Sequence, residues 1–125
     1  MNDNSLFFLC SLIEFIGRQQ KQRRGRIVEL LGENVIKRIY DYADVFHCEP
    51  IEKVADDFIL RCQIPMDDYD NVKCCRYEVP DYWEIGEVYE RLIEDLKKSS
   101  GKEMIDCIKE VYASWISDAI SNYNT

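Results

Sequence analysis

Glycine and proline are scarce in this chain, five and three among 125 residues, too few to turn the many short strands of a β-sandwich. Histidine occurs once, at His47, so any histidine catalysis rests on that residue. No Gly-rich phosphate cradle and no Gly-x-Ser-x-Gly elbow is present, which removes the common nucleotide-binding and serine-hydrolase layouts. No apolar run reaches the roughly 18 residues that a membrane span needs. The nearest, residues 6–16, is interrupted by Ser11 and Glu14 and reads as a buried core helix.

Cysteine is not scarce, but its pattern excludes two uses. The six cysteines contain no C-x₂₋₄-C knuckle, so a structural zinc site through His47, Cys48, Cys62, Cys74 and Cys75 lacks its usual chelating unit. Cys74 and Cys75 are adjacent, which is poor geometry for a mutual bond. The opening Met-Asn-Asp-Asn-Ser has no basic n-region, and no small-residue cleavage site follows the apolar run. The expectation is a reduced, cytoplasmic chain. Asp67, Asp68 and Asp70 resemble the start of a calcium loop, yet the turn glycine and closing glutamate are missing. No cofactor is implied.

What is present is apolar mass with a helical period. The chain is 46% hydrophobic and 12% aromatic, enough for one core, and its length fits one domain spanning 1–125. Apolar groups at Ile51, Val54, Ala55, Phe58 and Ile59 repeat at i, i+3, i+4, i+7, i+8. Tyr82, Ile85, Tyr89, Leu92 and Leu96 do the same, with Glu87→Arg91 and Glu94→Lys98 at favourable spacing. Helices are expected at about 5–20, 24–31, 33–44, from Pro50 to before Pro65, and from Pro80 to about 98. A last helix is expected behind a Ser100/Glu103 capping box. Residues 72–79 hold β-favouring side chains and leave room for a short strand. The fold class is all-α: a bundle of five to six helices closing in an antiparallel helical hairpin. Trp115 shares a stripe with Ile108, Tyr112 and Ala119, and is expected to anchor that hairpin.

Net charge is −8, which opposes general affinity for nucleic acid or anionic membrane. Residues 1–40 carry seven basic and four acidic groups, net +3, whereas residues 41–125 carry nine and twenty, net −11. The positive excess sits in Arg18, Lys21, Arg23, Arg24 and Arg26. It suits an acidic partner or the chain's own acidic half better than nucleic acid, because no aromatics interleave it.

At residues 7–59 the layout resembles a group of small bacterial helical proteins of unsettled function. The matching features are Phe7-Phe8-Leu9-Cys10-Ser11-Leu12-Ile13-Glu14, Tyr42-Ala43-Asp44-Val45-Phe46-His47-Cys48 and Val54-Ala55-Asp56-Asp57-Phe58-Ile59. Phe46 and Cys48 depart from that group's more frequent leucine and threonine beside the histidine. Some members look associated with toxin genes, so the resemblance implies an antitoxin-like or accessory role.

The leading expectation is a non-enzymatic protein-interaction module, with a protein partner or a second copy of the chain. Tyr77, Tyr82, Trp83, Arg23 and Arg24 are its candidate contact residues, since Trp, Tyr and Arg are enriched at interface hot spots. A rival is an enzyme or ligand-binding site near His47, Cys48 and residues 66–78. A third reading is nucleic-acid binding through residues 18–26.

Overall fold

A computed structural model describes residues 4–70 and 80–114. Residues 72–79, which leave room for a short strand, and with them Tyr77, and Trp115 with the end of its stripe lie outside the described residues. Among the described residues every regular element is a helix: α1 (Asn4–Gln20), α2 (Arg24–Leu31), α3 (Glu33–Asp41), α4 (Ala43–Phe46), α5 (Ile51–Cys62), α6 (Tyr82–Ser100) and α7 (Met104–Ala113). No helix among them is long and apolar enough to cross a membrane.

The first helix organises the rest. Its apolar side chains cover more than one face, and Leu6, Leu9, Leu12, Ile13 and Ile16 are fully buried. A helix apolar all round must be surrounded, and α2, α3, α4, α5 and α6 all pack on α1. α7 packs against α6, α2 and α3. Tyr89 of α6 stacks on Tyr112 of α7 with ring centroids 4.3 Å apart. The chain therefore doubles back through residues 101–103.

Chain breaks follow local chemistry. Gly32, at φ 81°, ends α2 and precedes α3, a backbone conformation that costs other residues strain. The helix expected over 33–44 is two helices, because Tyr42 leaves helical geometry at φ −111°, ψ 21°. Pro50 precedes α5. Pro80 is not a helical residue: the Asp81 carboxylate accepts from the Glu84 backbone N–H at 2.7 Å, and α6 starts at Tyr82. An aspartate cap satisfies an amide that the helix start leaves unpaired. The Ser100/Glu103 capping box does not form. Ser100 still belongs to α6, its hydroxyl donates to the Leu96 carbonyl at 2.7 Å, and Glu103 offers no side-chain cap.

After α5, residues 64–69 lie beside the α1–α2 linker. The Asp67 and Tyr69 amides donate to the Gln20 and Lys21 carbonyls at 2.8 and 3.0 Å. The Gln20 and Gln22 side-chain amides donate to the Ile64 and Pro65 carbonyls, both at 2.9 Å. These bonds use buried polar groups that would otherwise destabilise the interior.

The α1–α6 contact is unusually close. Both helices present a small residue there, and a Cβ built on Gly86 would fall 2.1 Å from Ser11 Oγ and 2.8 Å from Ser11 N.

Candidate functional site

The expected contact residues separate into an outer group and an inner one. Tyr82 and Trp83, in the first turn of α6, are half-buried. Trp83 lies 5.5 Å from the Phe7 ring and 6.1 Å from the His47 ring, centroid to centroid. Tyr82 stands edge-on to Phe15 at 5.1 Å, and His47 meets the buried Phe8 at 5.6 Å. These separations fall in the range where ring pairs attract beyond simple area burial. Three elements thus contribute one aromatic face: α1 with Phe7 and Phe15, the turn after α4 with His47, and α6 with Tyr82 and Trp83. His47 is exposed, while Phe7 and Phe15 are half-buried.

The structure brings His47 and Trp83 together although 36 positions separate them in the sequence. It does not direct Cys48 at His47: the exposed Cys48 thiol donates to the Asp44 carbonyl at 3.4 Å. Phe7 and Phe15 were not singled out by sequence, because in an all-round apolar helix nothing marks which rings reach the surface.

Beside this face, a cavity of about 210 Å³ lies between the start of α1 and the middle of α6, lined by Asn4, Phe7, Glu87 and Glu90. Glu87 pairs with Arg91 at 2.5 Å, and Glu90 is only 2% exposed. Among the described residues no three His, Cys, Asp or Glu side chains gather as a metal set.

The basic run is split: Arg24 is buried and Arg18 half-buried, while Lys21, Arg23 and Arg26 are exposed. Arg24, expected at a surface, is 2% exposed. Its Nε and Nη2 both donate to the Glu14 carboxylate, the latter at 2.9 Å. Burial alone opposes charge on the guanidinium; the Glu14 hydrogen bonds and charge more than reverse that, and the Arg24 pKa is raised. Arg18 Nε also donates to Glu14, at 2.7 Å. Arg26 pairs with Glu29 at 3.2 Å, and Arg23 lies 4.4 Å above the Tyr69 ring, beside Asp67 and Asp68. The one sequence signal for the buried pair was a glutamate inside an otherwise apolar helix.

Tyr112 closes the inner group. Burial pushes its phenol well above the ordinary value, with Cys10 and Tyr89 adding to the effect. No well-aligned hydrogen-bond partner reaches the Tyr112 hydroxyl; the Cys10 thiol, a weak donor and acceptor, is the polar group that bears on it. Above about pH 10 an unfolded chain releases this proton while the folded chain holds it. Stability from this group is therefore complete below that pH and falls as the pH rises. Tyr112→Phe should flatten that fall and leave neutral-pH stability equal or higher by about 1 kcal/mol. Urea unfolding between about pH 9 and 11 checks both; an unchanged slope would place the alkaline sensitivity elsewhere.

Compared with protein-family models, curated proteins and solved structures, the chain matches none.

Proposed function

We propose that this chain is a non-enzymatic protein-interaction module, a regulatory or antitoxin-like subunit that docks a protein partner on the Trp83 face. The observation that carries the reading is the convergence of Phe7, Phe15, His47, Tyr82 and Trp83, rings from three separate elements, all at least partly open to solvent. Rigid aromatic groups with a buried edge and an open edge lose little side-chain entropy on contact, which is why they dominate interface energetics. Arg23, exposed above Tyr69, is a second contact residue on a different part of the surface. Arg24 supports the reading only indirectly, by fixing α2 against α1.

Trp83→Ala separates docking from folding. Trp83 is only half-buried, so its loss should cost about 1–2 kcal/mol, below the roughly 3–5 kcal/mol of a core aromatic. Capture of partners from the native host, with light scattering on the eluate, should show a defined complex for the wild type and none for the variant. A strictly monomeric wild type with no co-purifying protein, or a complex indifferent to Trp83→Ala, defeats the reading.

A further inference from the structure

Two cavities succeed each other along α7, on the side that faces α2 and α3. The first, about 260 Å³, lies between Met104, Ile105 and Ile108 of α7 and Ile36 and Tyr40 of α3. The second, about 360 Å³, lies between Tyr112 and Ala113 of α7 and Gly25, Val28, Gly32 and Ile36 opposite. Ile36 walls both, so they form one furrow. Its second half carries little side-chain bulk. A Cβ on Gly25 would meet the Tyr112 carbonyl oxygen at 2.8 Å, which brings α2 and α7 together backbone to backbone, and a Cβ on Gly32 would meet nothing within 4 Å. A space bounded by bare backbone and buried apolar residues suits a flat ring. Lys109 pairs with Glu33 at 3.5 Å across the rim, and both side chains are exposed. An ion pair this open contributes little and yields to a segment laid over it.

The chain reaches the end of the described residues at the end of this furrow. α7 stops at Ala113, and Ser114 takes extended backbone at φ −84°, ψ 167°, so the chain departs there from the α7 axis. Ser114 itself walls a further cavity of about 360 Å³ that shares Gly25, Tyr112 and Ala113 with the furrow. Residues 115–125 lie outside the described residues. Their sequence places Trp115, Ile116, Ala119, Ile120 and Tyr123 at i, i+1, i+4, i+5 and i+8, a single stripe at about 100° per residue. Ser117, Asp118, Ser121, Asn122 and Asn124 all fall outside that stripe. Spacing of this kind fits a helix with one apolar face, which needs an apolar surface to cover it. Asp118 is the one charged side chain of these eleven residues, in a chain that is 32% charged.

We infer that the furrow between α7 and α2–α3 is the seat of the chain's own residues 115–123, with the Trp115 ring over Gly25 and Gly32. The dimensions agree. Nine residues returning in helical form span about 13 Å, against about 15 Å for the ten residues of α7, so the return covers both cavities. The tether favours this segment over any free one. Trp115 follows Ser114 directly, and a short link holds a segment near its seat at an effective concentration in the millimolar range. The furrow is thus a surface that the protein closes for itself, and a partner enters it only by displacing residues 115–123.

The test is nuclear magnetic resonance on the full chain labelled with ¹³C and ¹⁵N. The Trp115 indole should show nuclear Overhauser contacts to the methyl groups of Val28 and Ile36. Contacts to other residues instead, or none at all, overturn the inference. An equal mixture of labelled and unlabelled chains separates the chain's own segment from a second copy's: the same contacts in the isotope-filtered spectrum would place a neighbour's segment in the furrow and overturn it as well. A second measurement adds a synthetic peptide of residues 115–125. It should bind the variant Trp115→Ala/Ile116→Ala/Ile120→Ala at least about tenfold more tightly than the wild type, or 1.4 kcal/mol, because only the variant leaves the furrow open. Its binding should shift the Gly25 and Gly32 amides and leave the Trp83 indole N–H in place. Equal binding to both chains, or shifts confined to other residues, defeats the inference. The Trp83 face takes no part in either measurement, so the docking reading stands or falls separately.

Discussion

Glu14→Ala should unfold most of this protein at temperatures where the wild type is fully folded. Glu14 is 1% exposed and accepts hydrogen bonds from two arginines, Arg18 and Arg24. Removing it leaves the Arg24 guanidinium charged and buried at the junction of α1 and α2. Breaking a buried pair on one side costs about 3–5 kcal/mol, from a total that for such domains is about 5–15 kcal/mol. At about 3–5 °C per kcal/mol for a chain of this size, the melting temperature should fall by roughly 10–25 °C. Arg24→Ala should lose a similar amount. Glu14→Leu with Arg24→Met should recover at least half of it, because an apolar pair of similar volume leaves no charge to solvate. Thermal melts followed by circular dichroism decide the matter. Single variants within about 1 kcal/mol of wild type would show that water reaches the pair, since exposed ion pairs contribute no more than that.

The second large effect is expected at Gly86. A Cβ there meets Ser11 Oγ at 2.1 Å, and also Ser11 N and Ser11 Cα at 2.8 and 2.9 Å. A side-chain oxygen can rotate away; a helix backbone cannot. Gly86→Ala must therefore push α6 off α1, loosening Ile85, Tyr89 and Ile93, all buried in the core. Overpacking of a filled interior costs about 1–3 kcal/mol and occasionally more, and this case belongs at the upper end, near 3 kcal/mol. Ser11→Gly in the same chain should restore only a minor part, because the backbone contacts remain. Full rescue by Ser11→Gly would mean that the hydroxyl alone sets the helix separation. Gly86→Val should prevent soluble expression. The aromatic face would suffer as well, since Trp83 and Tyr82 ride on the same helix.

How far these features were legible in the sequence depends on how local their causes are. The stripe Ile51, Val54, Ala55, Phe58 and Ile59 reads directly as a one-faced helix; the first four are buried and Ile59 is half-buried. The stripe of α6 was legible in type but not in full: Ile85 and Tyr89 are buried as the spacing requires, yet Ile93 takes the core position while Leu92 and Leu96 stay half-buried. Gly86, in close approach to Ser11, and Glu90 lie on the buried side of α6, and no period of apolar residues announces a glycine contact. The break at Tyr42 was likewise invisible, because residues 33–44 contain no glycine or proline.

The candidate site divides in the same way. Tyr82, Trp83 and His47 stand out by residue type, and all three belong to the aromatic face. Phe7, which links Trp83 to the acidic cavity, could not be told from the other apolar residues of α1. Arg24 illustrates the reverse error, since a basic residue in a basic run looks solvated until its partner is located. Charge and apolar period are properties of the chain, and through them the sequence by itself determined an all-helical fold around a buried first helix, together with a strongly acidic second part. Only the tertiary structure decided which charges face water and which rings meet, because Glu14 and Arg24, like His47 and Trp83, become neighbours through helix packing, and the free energy of burial depends on what the neighbour is.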